Sequence, residues 1–300
     1  MSAAPEPAKA AMRFPLWIRT AFTSLLLIFA AACPVAAQAL PDLARAAPIS
    51  EAYRAKFADC DRADRFGGVQ FPIRSQKTGR IDWYGCKSDP SRLDQLVSLP
   101  ATGPARAAMV WRSKLGLDLD GSWIACNRAG MTDQCRTSLM LKRDAAHPCV
   151  VGAEPYCVPV DSDAVAYLVI PTAGPRATDP GEFTRRTGVG IGDYGVVISG
   201  GQAVYVVVAD GGPAYKIGEG SMALLRGLGR ENCAARDGQG HCTRARVNTL
   251  GSGAVAIIFP GSRDPAVGLS VGTFADRVKA RGAELYESAA ARLSGALAEG

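Results

Sequence analysis

The sequence predicts a mainly β protein built on a β-barrel of about six strands, with short helices and a helical C-terminal tail. Short runs rich in valine, isoleucine and aromatic residues recur between glycine, proline and aspartate, which is typical of strands separated by turns. Several runs are apolar at almost every position, whereas a sheet with one wet face alternates. A compact barrel explains both observations, and a jelly roll or another β-sandwich is the alternative. The predicted strands are Ala108–Leu117, Thr137–Leu141, Ala164–Ile170, Tyr194–Ser199, Ala203–Val208 and Ala254–Phe259.

Two segments have helical periodicity. The segment Glu219–Leu228 carries its large apolar residues at helical spacing, which we interpret as core packing rather than as a cofactor site. The tail from Phe274 to Leu297 is rich in alanine with mixed charge, and it predicts a C-terminal helix over residues 276–300. The apolar stripe of the first segment is Met222, Leu225 and Leu228, and the residues that could dock the tail are Val278, Leu285, Ala289 and Leu293.

The N-terminal segment is typical of a secretory signal peptide, which we predict over residues 1–39. Three basic residues precede an apolar run over residues 21–32, and an Ala-Gln-Ala site follows at 37–39. The apolar run is shorter than the roughly 18–20 residues that a membrane-spanning helix needs. We therefore expect a secreted or periplasmic protein that is not associated with a membrane after the signal is cleaved.

Length and charge narrow the class of protein. Without the leader, about 260 residues remain, which corresponds to one large domain or two small ones. We expect a helical or irregular N-terminal region over residues 40–106 and a barrel domain over residues 107–275. Because the leader holds three basic residues and one acidic residue, its removal lowers the formal charge from +6 to +4. The arginines are scattered, so we expect a protein that does not bind nucleic acid. We also expect a monomer.

The cysteines beyond the leader predict disulfide bonds. Eight remain, and an even number in an exported chain is typical of a disulfide framework. A zinc site is the disfavoured alternative, because the chain has no C-x-x-C motif and only two histidines, His147 and His241, which we interpret as exposed loop residues. We expect no metal and no cofactor. The predicted pairs are Cys60–Cys86, Cys126–Cys135, Cys149–Cys157 and Cys233–Cys242.

The segment Ala209–Ser221 carries the strongest chemical signal. An apolar strand runs into a Gly-Gly-Pro turn, and Glu219 follows Asp210 after nine residues. Hydrolysis of a glycosidic bond needs two carboxyl groups, one to protonate the leaving oxygen and one to activate water or attack carbon. The alternative is that Asp210 is a turn residue and Glu219 complements a helix dipole. Spacing alone favours that alternative.

Six motifs in order along residues 108–262 change this balance. They are Lys114–Ser122 (KLGLDLDGS), Thr137–Leu139 (TSL), Tyr167–Pro171 (YLVIP), Gly192–Ile198 (GDYGVVI), Asp210–Ser221 (DGGPAYKIGEGS) and Ile257–Ser262 (IIFPGS). Together they resemble the fungal-type endo-chitosanases of glycoside hydrolase family 75. In that family the fifth motif usually begins Gly-Asp-Thr-Gly-Pro, so Ala209 and Gly211 depart from the pattern, and these departures put the substrate preference in doubt.

The resemblance implies a secreted, inverting endo-hydrolase of β-1,4-linked glucosamine polymer that needs no cofactor. It implies that Asp210 and Glu219 are the catalytic pair, and inversion implies that their carboxyl groups lie roughly 6.5–9.5 Å apart. The start of a helix would favour Glu219 as the base, and the end of an apolar strand would favour Asp210 as the acid. The other matching positions are candidates for binding the polysaccharide, and they are Lys114, Asp118, Asp120, Thr137, Ser138, Asp193 and Lys216.

Several alternatives stay open at this point. The sequence Asp118–Gly121 also resembles the opening of a calcium loop, but the closing glutamate of an EF-hand is absent, and a plain Asp-Gly turn is a further interpretation. The segment Gly192–Asp210 looks similar to double-psi barrels that bind and cut polysaccharides, which implies that barrel type by analogy. The protein could instead hydrolyse another amino-sugar polymer such as peptidoglycan, or bind a polysaccharide without cleaving it.

Overall fold

The computed structural model describes residues 47–48, 51–62, 70–74, 81–85, 93, 95–99, 107–127, 134–152, 154–172, 181–212, 215–264 and 269–298. The predicted signal peptide lies outside these described residues, and so does Cys86 of the predicted Cys60–Cys86 pair. Within the described part of the chain, no helix combines the length and the apolar character needed to cross a membrane.

The described elements follow one another along the chain in a mainly β order. They are β1 (Ala47–Pro48), α1 (Glu51–Arg62), β2 (Gln70–Arg74), β3 (Ile81–Gly85), β4 (Gln95–Leu99), β5 (Ala108–Asp118), α2 (Trp123–Asn127), β6 (Met140–Lys142), β7 (Tyr156–Pro159), β8 (Tyr167–Pro171), α3 (Glu182–Thr187), β9 (Tyr194–Ser199), β10 (Gln202–Gly212), β11 (Glu219–Ser221), α4 (Met222–Gly227), β12 (Cys233–Arg236), β13 (Cys242–Ala245), β14 (Leu250–Ile258) and α5 (Val271–Ala298).

The predicted six-stranded barrel is confirmed. Its strands are neighbours in the order β5, β11, β8, β10, β9 and β14, and β14 pairs with β5 to close the ring. The pairs β5–β11 and β8–β10 are parallel, and the other four are antiparallel. Large apolar side chains fill the interior, and α5 covers apolar residues on part of the outer face, which explains why several strands are apolar on both faces. This core includes Trp111, Leu115, Ile170, Phe183, Val197, Val206, Val208 and Ile258.

The barrel has an internal two-fold pattern. If β5 is exchanged with β10, β8 with β11 and β9 with β14, the barrel keeps the same pairings, and each pair stays parallel or antiparallel as before. Each half therefore contributes a strand to a parallel pair with the other half, and such pairs require crossover connections. The predicted double-psi type requires a mixed, two-fold arrangement of this kind.

Two predicted elements differ from the structure. The sixth barrel strand is β11, although the sequence predicts a helix from Glu219, because Glu219 and Gly220 pair with both β5 and β8. The helix begins only at Met222, where the Ser221 side chain accepts a hydrogen bond from the backbone N–H of Leu224. The predicted strand Thr137–Leu141 lies outside the barrel: only its end belongs to β6, which pairs with β7.

Two helices cover the barrel. The C-terminal helix α5 packs on β9 and β10 through Phe274, Val278 and Tyr286, which are buried. Gly282 permits the close approach, since a Cβ atom there would lie 2.9 Å from the carbonyl oxygen of Gly195. The region 40–106 contains α1, whose Tyr53 and Phe57 pack into the barrel core cluster.

Three of the predicted disulfides are confirmed, and they are Cys126–Cys135, Cys149–Cys157 and Cys233–Cys242. Disulfides persist in oxidising compartments, so they fit the expected secreted or periplasmic location. Both histidines are partly exposed, and each pairs through Nδ1 with a nearby carboxylate, His147 with Asp144 at 2.8 Å and His241 with Asp237 at 3.1 Å.

Candidate active site

Asp210 and Glu219 lie in one row on the outer face of the barrel. Glu219 pairs with Gly116 of β5 on one side and with Val169 of β8 on the other, and Val169 pairs with Asp210 of β10. This face is the outer one, because Val169 packs in the same apolar cluster as Phe274 of α5. Two interstrand spacings place the Cα atoms of Asp210 and Glu219 about 10 Å apart. This Cα spacing is compatible with the separation of roughly 6.5–9.5 Å between carboxyl groups that inversion implies. That separation remains a prediction.

A β-bulge brings Asp210 to this face. Val208 points into the barrel opposite Leu168, and strict alternation would point residue 210 inward as well. The register instead shifts between Val208 and Asp210, so that Ala209 is the extra residue and Asp210 is paired with Val169. Ala209 is fully buried, and its carbonyl accepts a hydrogen bond from the backbone N–H of Leu139.

The departure at Gly211 has a structural explanation. A Cβ atom at this position would lie 2.1 Å from Oγ1 of Thr172 and 2.8 Å from its Cγ2. The space that a threonine would use at position 211 is therefore already filled by the side chain of Thr172. Thr172, directly after the end of β8, therefore leaves no room for a side chain at position 211.

Three aspartates form a compact acidic cluster beside this row. One carboxylate oxygen from each of Asp118, Asp120 and Asp210 lies within 4.8 Å of the other two. Oδ1 of Asp118 accepts a hydrogen bond from the backbone N–H of Asp120 at 3.0 Å. The Tyr167 hydroxyl lies 3.1 Å from Oδ2 of Asp118 and 2.8 Å from the carbonyl oxygen of Asp120. These contacts hold the turn after β5 against β8.

The cluster retains protons at neutral pH. Burial, followed by the charge of Asp210, raises the pKa of Asp118 to about 7. Burial and the charge of Asp118 raise the pKa of Asp120 to about 10. Burial also raises the pKa of Asp210, although hydrogen bonds from Ser138 and the Gly211 backbone oppose that rise. Like charges this close cannot all ionise, so the carboxyl groups share protons, as pairs of catalytic carboxylates do.

Glu219 has a different electrostatic environment. Burial and the charge of Asp118 raise its pKa, whereas the charges of Lys114 and Lys216 oppose the rise. Both lysines are buried, so they act on Glu219 from within the protein. The helix-dipole argument for Glu219 is wrong, because this residue lies in β11 before the cap of α4. The charges of Lys114 and Lys216, rather than a helix dipole, favour the ionised form of Glu219.

Three predicted binding residues, Thr137, Ser138 and Asp193, form hydrogen bonds within the protein through their side chains. Ser138 donates hydrogen bonds from both its backbone N–H and its hydroxyl to Oδ1 of Asp210, each at 2.7 Å. Thr137 is buried, donates to the carbonyl of Leu139 and accepts from the N–H of Val160.

Asp193 is fully buried at the start of β9, where its carboxylate accepts hydrogen bonds from the backbone N–H groups of Gly190 and Arg263. These hydrogen bonds show that Thr137 and Asp193 position loops, and their predicted sugar-binding roles remain predictions.

Removal of the Ser138 hydroxyl should raise the pKa of Asp210. The hydroxyl donates to the charged carboxylate, and loss of a hydrogen bond to the charged form favours the protonated form. We expect the pKa of Asp210 in Ser138→Ala to exceed that of the unmodified protein in an NMR titration of the carboxyl carbon. Ser270→Ala removes a hydroxyl beside another aspartate, Asp144, and should leave the titration of Asp210 unchanged. An unchanged or lower Asp210 pKa in Ser138→Ala would contradict this account.

Contacts with the N-terminal region hold the loop between Asp210 and Glu219, and the sequence did not predict them. Tyr215 donates its hydroxyl to Glu182 at 2.9 Å, and Lys56 of α1 donates to the same carboxylate at 2.9 Å. The Tyr215 ring also packs edge-on against Phe57. Tyr215 has a positive φ of 57°, which is uncommon for a residue other than glycine. These contacts join residues distant in sequence, so no local pattern could indicate them.

The acidic cluster also has the oxygen ligands that Ca²⁺ or Mg²⁺ prefers. In the described part of the chain, Asp118, Asp120 and Asp210 are the group of acidic, histidine or cysteine side chains close enough to share an ion. The raised pKa values favour protons over the fully charged state that binds a cation. The expectation that the protein needs no metal remains a prediction.

No family model and no curated protein matches this chain.

Proposed function

We propose that the protein is an exported, inverting glycoside hydrolase that cleaves internal bonds of a β-1,4-linked amino-sugar polymer, with chitosan as its substrate. The observation that carries the proposal is the row that joins Asp210 and Glu219 on one face, with the acidic cluster beside it. An inverting enzyme needs two carboxyl groups separated by enough room for a water molecule. The six ordered motifs supply the independent support from the sequence.

Asp210 is the better general acid in this arrangement. Burial raises the pKa of Asp210 and favours its protonated form, although the hydrogen bond that Asp120 donates opposes this rise. Asp120, with its pKa raised to about 10, keeps a proton next to Asp210 at neutral pH. Asp210 donates its proton to the glycosidic oxygen as the bond from that oxygen to the anomeric carbon breaks. The leaving chain departs as an alcohol, and Asp210 is then a carboxylate that regains a proton.

Glu219 is the better general base. Lys114 and Lys216 favour its charged form against the effect of burial. The carboxylate removes a proton from a water molecule as the water oxygen attacks the anomeric carbon from the face opposite the leaving oxygen. The product carries a hydroxyl group of inverted configuration, and Glu219 releases its proton to solvent.

The acidic cluster supports a cationic substrate. Chitosan carries an ammonium group on each glucosamine, and Asp118 and Asp120 present carboxyl groups next to the proposed catalytic pair. An approaching ammonium group stabilises the ionised form of a carboxyl group. The same residues give no comparable advantage to a neutral, N-acetylated polymer.

Incubation of the purified protein with chitosan should release new reducing ends and shorten the polymer from within. NMR of the first products should show the α anomer, because direct displacement inverts a β linkage. Peptidoglycan and chitin serve as the comparison polymers. Release from peptidoglycan alone would assign a different substrate, a β-configured first product would contradict inversion, and no release from any polymer by folded protein would leave a binding protein.

A further inference from the structure

A cleft beside the acidic cluster has the features of a sugar-binding subsite. It is a partly open cavity of about 160 Å³ between α2, the turn over residues 161–164 and the hairpin of β12 and β13. The cleft is lined by Ser122, Trp123, Asp161, Asp163, Gln239 and His241, among others. None of these residues belongs to the predicted site.

Trp123 supplies an aromatic surface in this cleft. It is 37% exposed, whereas the indole of Trp111 is fully buried in the barrel. His241 stacks on Trp123, with ring centroids 5.7 Å apart and planes 11° from parallel, and Asp237 pairs with the imidazole at 3.1 Å. The indole is thus held in one orientation while a large part of its surface stays open to a ligand. The C–H face of a sugar ring is apolar and packs well on such a surface.

One carboxyl group in the cleft remains accessible to a cation. The carboxylate of Asp163 is engaged by Arg226 and Arg236. Asp161 accepts one hydrogen bond, from the backbone N–H of Asp163 to its Oδ1 at 2.9 Å, and its Oδ2 has no donor among the described residues. Burial raises the pKa of Asp161, and Arg226 and His241 oppose that rise only in part. A further cation in the cleft would therefore favour the charged form of Asp161.

The cleft is rigid and adjoins the proposed catalytic centre. The Cys233–Cys242 disulfide closes the hairpin that forms one wall, and the Cys126–Cys135 disulfide ties down the end of α2, which carries Trp123. Ser162, next to Asp161, donates its hydroxyl to the carbonyl oxygen of Asp118 at 2.6 Å. Trp123 lies three positions after Asp120, a span of at most about 11 Å along the chain. A polymer lying across the acidic cluster can therefore continue into the cleft.

We propose that this cleft is a subsite that binds one glucosamine unit of the polymer, with the sugar ring stacked on Trp123 and its ammonium group paired with Asp161. The inference rests on the proposed function for the identity of the sugar. It goes beyond that function by assigning a specificity-determining site outside the catalytic pair.

Binding can be measured separately from cleavage in the full-length Glu219→Gln variant. Calorimetric titration with glucosamine hexamer should give a Kd about tenfold higher after Trp123→Ala, which corresponds to a loss of about 1.4 kcal/mol. Asp161→Asn should weaken binding of the glucosamine hexamer and leave binding of N-acetylglucosamine hexamer unchanged. Val247→Ala and Asp276→Asn, at well-exposed positions outside the cleft lining, are the control variants.

The outcomes separate this inference from the proposed function. An unchanged Kd in Trp123→Ala, or no binding of the hexamer by the parent variant, would overturn the subsite. Equal loss of both hexamers in Asp161→Asn would overturn the ammonium contact. A Trp123-dependent Kd in a protein whose wild-type form cleaves no polymer would overturn the hydrolase proposal alone. Circular dichroism of every variant establishes that the comparison is between folded proteins.

Discussion

Glu219→Gln and Asp210→Asn should each lower kcat for chitosan by about 10²–10⁴-fold, the usual contribution of a positioned general acid or base. Each substitution keeps the size of the side chain and removes its ability to exchange a proton. Both variants should fold, because each amide keeps the size of the side chain and its oxygen acceptor, and Asp210→Asn also removes a charge from a cluster of like charges. Glu219→Gln should be the less stable of the two, because it removes a charge that opposes those of the buried Lys114 and Lys216. Initial rates of reducing-end release at saturating chitosan provide the measurement.

Matched variants separate this effect from a general loss of charge. Glu287→Gln and Asp276→Asn make the same chemical changes at exposed positions of α5 and should leave kcat unchanged. A thermal unfolding temperature at or above that of the unmodified protein would exclude misfolding as the cause. Loss of activity by less than tenfold in either site variant would remove that residue from the catalytic pair.

The pH profiles of the same variants assign the two roles. The acidic limb of kcat/KM reports the group that must be ionised, and the basic limb reports the group that must be protonated. Glu219→Gln should therefore lose the acidic limb, and Asp210→Asn should lose the basic limb. The reverse pattern would exchange the acid and the base while leaving the pair intact.

Long apolar strands were predictable because their composition reflects burial on both faces. The predicted strand Tyr194–Ser199 coincides with β9, and Ala108–Leu117 ends one residue before β5 does. The strand β11 has only three residues, which is too short for a periodic signal. Its pairing with β5 and β8 depends on tertiary structure, and the adjacent stripe of Met222, Leu225 and Leu228 predicts a helix one turn too early.

The candidate site was predictable only in part, for a related reason. The motif around Asp210 identifies a carboxylate, but the bulge at Ala209 that turns it outward arises from its pairing with β8. Motif residues also do not divide into structural and chemical ones by sequence alone. Asp193 and Ser138 stand in similar motifs, yet one ties two loops together and the other donates to Asp210. Only the hydrogen-bond partners distinguish them.

Gly218→Ala should lower the free energy of unfolding by about 3 kcal/mol. It should also abolish the cleavage of chitosan, because Gly218 precedes Glu219. Gly218 has a φ of +88°, a conformation that costs a residue with a side chain about 1–2 kcal/mol. A Cβ atom there would lie 2.4 Å from the carbonyl oxygen of Lys114, and this contact with backbone cannot be relieved by a rotamer change. Such overpacking adds about 1–3 kcal/mol. The midpoint of urea unfolding, together with its slope, measures the change.

Gly253→Ala is the matched control for this prediction. Gly253 has a similar φ of +83°, but no atom lies within 4 Å of a Cβ atom built on it. It should therefore show only the backbone cost of about 1–2 kcal/mol. Gly218 also accepts a hydrogen bond through its carbonyl from the N–H of Gly116 at 2.7 Å, so a shift there displaces the neighbouring Glu219. Equal destabilisation by the two substitutions would show that the contact with β5 does not hold Glu219 in its row.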